Sequence, residues 1–182
     1  MSYKEKVEAA LPRIKARMKK ADSFDILMPA TLSVSIQLAD GNPDKGRQVA
    51  SMAAPIAELM QAKDWHPGMA TDPGDLVYDP QKQHIYIYTG KTAMVHSNHL
   101  FYPGASGVYY WAIVPDMHEG YKVYPGYLTG IIVAVKRDEV WWNTAKTKRY
   151  RWNDADNAAC VWQPGQQGVH QWVEVFHVVH HV

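Results

Sequence analysis

Apolar positions change their period part way along the chain. Val7, Leu11, Ile14 and Met18 recur at helical intervals, which predicts an amphipathic helix over residues 1 to about 21. Ser2 and Glu5 stand at capping-box spacing at its start, and Pro12 within it removes a hydrogen bond and forces a kink. Residues 23 to 40 read two ways. Leu32, Val34, Ile36 and Leu38 alternate as in a strand, while the length and setting also suit a buried helix. Asn42-Pro43 marks a helix start, with Asn as N-cap and Pro at the first helical position. Val49, Met52, Ile56 and Leu59 carry its apolar stripe to about Gln61. Beyond it, short runs rich in Tyr, Trp and Val, broken by Gly and Pro, predict strands and turns.

A repeat runs through this second part. Tyr102 to Val114 reads YPGASGVYYWAIV and Gln163 to Val175 reads QPGQQGVHQWVEV, sharing PGxxGVxxWxxV at an offset of 61 residues. Upstream, Asp72 to Pro80 is set against Tyr124 to Val135, and His84 to Gly90 against Glu139 to Ala145. Two copies of roughly fifty residues follow, too short to bury much alone. The expected class is α+β: a helical N-terminal segment over residues 1–62, then two small antiparallel β modules rich in Trp and Tyr over 63–116 and 117–182.

Composition agrees with that division. Two aromatics, Tyr3 and Phe24, precede Trp65; nineteen follow from Trp65 on, all seven tryptophans among them. With 182 residues and a net charge of +1, the chain lacks the concentrated basic surface of an electrostatic nucleic-acid binder. Seven Lys or Arg against two Glu in the first helix read as a solvated face. Cys160 is the one cysteine, which excludes an internal disulfide framework and a Cys-based zinc site. No apolar run approaches the length of a membrane span. The opening residues MSYKEKVEAALPR lack the apolar core of a secretory leader. A soluble, non-secretory protein is therefore expected.

The order Trp65, His66-Pro67-Gly68, Gly74-Asp75-Leu76-Val77-Tyr78, Tyr86-Ile87-Tyr88, His96-Ser97-Asn98, Pro103-Gly104 and Trp111 resembles the small chitin- and cellulose-binding modules of carbohydrate-binding families five and twelve. The second copy has Gly130-Ile131-Ile132-Val133 where a Gly-Asp box is expected, and Trp141-Trp142-Asn143-Thr144 is similar to the paired tryptophans of those modules. Helices running to Gln61, followed by Asp64-Trp65-His66-Pro67-Gly68, are similar to the arrangement in phage tail proteins that carry such modules. The resemblance spans about residues 62 to 175. It implies a non-catalytic protein, associated with a phage or prophage tail, that presents aromatics to a polysaccharide or host-surface glycan. A homo-oligomer and contacts with other virion subunits fit that setting, and it implies a location in the bacterial cytoplasm before assembly and in the virion if the chain is phage-encoded. The alternatives are a purely structural virion protein and a glycan-acting enzyme.

A sugar ring has apolar C–H faces, so an exposed flat aromatic suits it, and an indole N–H or phenol O–H can bond a hydroxyl. Neighbours on a strand point to opposite faces, so one of Trp141 and Trp142 is expected outside and the other in the core. Tyr86 and Tyr88 share a face. Trp152, His96 and Asn98 complete the candidate sugar-binding set. No cofactor is implied. The histidines at 96, 99, 177, 180 and 181 have no carboxylate or cysteine to complete a metal site. Asp154 and Asp156 with Glu139 imitate a glycosidase carboxylate pair, yet an Asn/Asp loop is ordinarily a turn. Cys160 lies among Ala158, Ala159, Val161 and Trp162 and reads as a buried apolar residue. No phosphate-cradling glycine loop, nucleophile elbow or HExxH occurs, so no enzyme is expected.

Overall fold

Asn42 starts its helix as its sequence requires. Its Oδ1 accepts the Lys45 amide hydrogen at 3.0 Å, satisfying a donor that the first turn leaves without a partner. The helix α1, Pro43–Ala57, buries Val49, Ala50, Ala53, Ala54 and Ile56. In this computed structural model the described residues are 9, 34–57, 62–95, 102–105, 110–126 and 131–176. The predicted first helix falls outside them except for Ala9, which is helical. Of the ambiguous segment, residues 34–39 are helical, and Ile36 and Ala39 are buried while Val34 and Leu38 are exposed. Burial at every third position selects the helix over the strand.

The class is mixed α+β, mostly sheet, in two compact units, Met1–Val114 and Pro115–Val182. The first unit contains β1 (Lys63–Asp64), β2 (Ala70–Thr71), β3 (Leu76–Tyr78), β4 (Ile85–Tyr88), β5 (Met94–Val95) and β6 (Trp111–Val114). Its main sheet runs β1-β3-β4-β6, and β2 pairs with β5. The helix α1 packs on β6 within this unit. A Cβ placed on Gly46 would lie 3.8 Å from the Ala112 side chain. Both faces of the sheet are therefore covered, and all four residues of β6 are buried. One face meets α1 and carries Leu76, Ile87, Ala112 and Val114. The other holds Val77, Tyr88 and Trp111 with Met69, and Trp65 and Tyr86 pack against them.

The second unit contains β7 (Asp116–His118), β8 (Tyr121–Val123), β9 (Val133–Val135), β10 (Val140–Trp142), β11 (Arg149–Trp152), β12 (Asn157–Cys160) and β13 (Trp172–Val175). Its main sheet runs β13-β11-β10-β8-β7, and β9 pairs with β12. Each unit departs from a purely antiparallel sheet at one pair, β1–β3 and β8–β10, which run parallel.

Strand order and register recur between the units. Tyr88 lies opposite Trp111 as Trp152 lies opposite Trp172. The Trp65 amide donates to Tyr78 as the Tyr124 amide donates to Trp142. In the hairpin loops, Asp79 accepts from the Gln83 and His84 amides, and Asn143 accepts from the Thr147 and Lys148 amides. Lys82 and Lys146 hold the same left-handed conformation there, with φ 57 and 58. The turn glycines recur as well: a Cβ on Gly104 would approach the Tyr86 hydroxyl to 2.8 Å, and one on Gly165 the Tyr150 hydroxyl to 2.8 Å.

These registers correct the sequence comparison upstream of the PG turns. Leu76–Tyr78 corresponds to Val140–Trp142, and Ile85–Tyr88 to Arg149–Trp152. The place of Gly74-Asp75 is held by Asp138-Glu139, not by Gly130-Ile131. Gly74 and Asp138 both have positive φ, 86 and 66, and both donate to the carbonyl of the buried aromatic, Tyr88 or Trp152. Matching residue types misled the comparison because Asp tolerates the left-handed region and so replaces Gly there.

Trp141 occupies the position of Val77, and its neighbourhood is remade to suit it. The indole N–H donates to Glu139, whose other oxygen accepts from Lys122 Nζ at 2.9 Å. Trp141→Ala is expected to cost about 3–5 kcal/mol of stability. Glu139→Ala is expected to cost about 1–3 kcal/mol, because a buried N–H loses its acceptor. Urea unfolding of the two single variants and the double variant checks this: the double variant falls short of the sum, since both changes remove the same hydrogen bond.

Candidate functional site: the exposed aromatics

In the second unit the rings form a continuous stack from core to surface. Tyr124 and Trp141 lie 6.5 Å apart, Trp141 and Trp172 6.4 Å, and Trp172 and Trp152 5.1 Å. Trp162 then stacks on Trp152 at 6.4 Å with planes 20° apart. Edge-to-face and offset contacts of this kind add to the area each ring buries. Trp152 satisfies its indole N–H on the Ala155 carbonyl at 2.8 Å. The Trp162 carbonyl accepts from the Trp172 indole at 2.9 Å and from the Cys160 thiol at 3.5 Å. Trp162 is thus held at its backbone and backed on one ring face, while 39% of its surface remains exposed.

The first unit has two further exposed rings. Tyr102, 40% exposed, meets Trp65 edge-to-face at 6.2 Å. Tyr110, 41% exposed, lies 6.2 Å from Tyr88, whose hydroxyl donates to the Thr92 carbonyl at 2.9 Å.

The sequence-predicted residues divide differently from expectation. Trp141, Tyr88 and Trp152 are buried in the cores, and a ring enclosed on both faces has none to offer a sugar. Trp142 is the outward member of its pair, half-buried on the opposite sheet face, with its indole N–H donated to the His118 carbonyl at 2.7 Å. Tyr86 is half-buried, and its hydroxyl sits beneath Gly104. His96 and Asn98 lie outside the described residues, as do His99, His177, His180 and His181.

Sequence reasoning passed over Trp162, Tyr102 and Tyr110. The sequence carries no signal that separates them from core rings: Tyr102 precedes Pro103-Gly104 as Tyr124 precedes Pro125-Gly126, yet Tyr124 is 1% exposed. Cys160 is buried as expected, and that burial pushes its thiol up to about 11 despite the hydrogen bond to Trp162. Among the described residues no group of three or more His, Cys, Asp or Glu is placed to hold a metal, and no helix is long and apolar enough to cross a membrane. No family model matches the chain, and no curated protein or solved structure does.

Burial also raises three phenols. Tyr86, Tyr88 and Tyr124 are pushed up to about 12, chiefly by desolvation, with smaller contributions from Asp79, from Tyr110 and Asp40, and from Cys160 respectively. The folded chain holds these protons more tightly than the unfolded chain, so the stability they contribute is whole below about pH 10 and lost as pH climbs towards about 12. Urea midpoints should therefore fall over that interval, with tyrosinate absorbance rising alongside the unfolding. Full ionisation near pH 10 without loss of stability would show that these rings are not buried.

Proposed function

We propose that the chain is a non-catalytic, carbohydrate-binding-like protein, associated with a phage or prophage tail, in which two divergent copies of one small β module present aromatic side chains to a polysaccharide. The shared register of the two sheets supports the two-copy reading. The observation that carries the binding reading is Trp162, a ring stacked on Trp152 with 39% of its surface exposed. A platform that is already immobile loses little entropy on binding. Tyr102 and Tyr110 are exposed rings of the first unit, at positions that Gln163 and Gln171 hold in the second. Trp152 packs behind Trp162 in the second unit and Tyr88 packs against Tyr110 in the first, while Trp141 lies deeper, against Trp172. The tail association rests on the order of helices and Trp-His-Pro-Gly described above.

A purely structural virion role is the second reading. Phe176, 74% exposed at the end of the edge strand β13, favours it, because an edge strand with an apolar neighbour suits contact with another subunit.

Pull-down on insoluble chitin, cellulose and peptidoglycan tests the binding reading. Wild-type protein should be retained on at least one matrix, with little dependence on salt because stacking involves no charge. Trp162→Ala should weaken retention by about 1–2 kcal/mol with the fold intact, as for other aromatic anchors. Failure of folded wild type to bind any matrix favours the structural reading.

A further inference from the structure

The two main sheets differ most on one face. In the first unit this face carries Ile85 and Ile87 on β4, and α1 packs on it at β6. In the second unit the corresponding residues are Arg149 and Arg151, with Trp142 opposite Arg149 on one side and Val175 on the other. The alternation in Arg149-Tyr150-Arg151-Trp152 sends both arginines outward and both aromatics inward. Arg151 is exposed, and so is its neighbour Val173, at 38%.

Arg149 is held in place. Its guanidinium carbon lies 5.1 Å from the Tyr121 ring and 5.5 Å from the Trp142 ring, and the His118 ring meets Trp142 edge-on at 5.1 Å. Cation–π contact on two rings orients a planar fork of donors without neutralising it. Among the described residues no carboxylate pairs with Arg149 or Arg151. Glu174 projects to the opposite sheet face, where it pairs with Lys148 at 3.7 Å. Glu119, in the β7–β8 turn, reaches His118. Asp116 shares the face but stands three strands from Arg149, roughly 14 Å away.

We propose that this outer sheet face of the second unit binds an acidic, carboxylate-bearing polysaccharide, with Arg149 and Arg151 gripping its carboxylates. The proposal rests on the reading of the chain as a polysaccharide binder and adds the class of sugar. The two side chains leave the strand about 7 Å apart along its backbone. Rows of Val173 and Val175 on one side, and Trp142 and Tyr121 on the other, offer apolar surface to the C–H faces of sugar rings beside them. Arginine forks match carboxylates bidentately. A chain of net charge +1 with two arginines on one face has too little positive field for a nucleic-acid backbone.

Affinity electrophoresis of the full chain through polygalacturonate tests this. Wild type should be retarded by polygalacturonate and not by its methyl ester, and salt should abolish the retardation, since it screens exposed charges over about 10 Å. Arg151→Gln should weaken binding on the order of tenfold, the scale of a lost charge-assisted hydrogen bond. Arg149→Lys, which keeps the charge and loses the fork, should weaken it with near-UV circular dichroism unchanged. Trp162→Ala should leave this binding intact. No retardation by polygalacturonate, or wild-type retardation of Arg151→Gln, overturns the proposal. So does equal retardation by polyglutamate or duplex DNA, which would mean that charge alone is read. Retardation by polygalacturonate without retention on chitin or cellulose removes the Trp162 platform and supports the arginine face. The converse overturns the arginine face alone.

Discussion

The cross-strand contact between Trp152 and Trp172, 5.1 Å apart and edge-to-face, is what the rest of the second unit is arranged around. It sits where β11 and β13 meet and joins the inner ring, Trp141, to the surface ring, Trp162. A small sheet has little area to bury, and indoles supply more apolar surface per residue than aliphatic side chains do. Each buried indole then needs an acceptor for its N–H. Trp152 finds Ala155, Trp172 finds Trp162, and Trp141 finds Glu139. Two of these acceptors are loop carbonyls, so satisfying the core also fixes the loops. The backbone that carries the exposed ring is anchored for this reason: its own carbonyl is the acceptor that Trp172 requires.

The first unit fills the same place with Tyr88 and Trp111, 5.4 Å apart, and the remaining differences follow from volume. Val77 stands where the second unit has Trp141, and Asp75 where it has Glu139. Asp75 serves the local turn, accepting the Asp72 amide at 2.8 Å. Glu139, one methylene longer, reaches an indole in the core and a lysine beside it. The larger ring, the longer acid and the Lys122 partner are one adjustment, since a buried N–H and a largely enclosed carboxylate each need the other satisfied.

The outer faces diverge for a different reason. Where α1 lies on the sheet, Ile87 is fully buried; where the corresponding residue is Arg151, the face is open. A helix cannot cover two unneutralised guanidinium groups without a large desolvation cost. The same strand order therefore goes with a closed apolar face in one unit and a charged, aromatic-edged face in the other.

The amino-acid sequence by itself determined the features that depend on nearest neighbours. Asn42-Pro43 set a helix start because the cap is made within four residues. The Tyr and Trp runs set strands through alternation, and the repeated PG turns placed Trp111 and Trp172 in matching positions. Tertiary structure decided the rest. Alternation separates Trp141 from Trp142, and Arg149 from Tyr150, but does not say which face will be covered, because burial depends on segments distant in sequence. The correspondence of Gly74 with Asp138 was hidden because it is a likeness of backbone conformation, not of residue type. Trp162 became a candidate for the surface only once Trp152 and Trp172 were seen to hold it there. A ring beside a turn is indistinguishable from a core ring until its partners, brought in from other strands, occupy one of its faces and leave the other to water.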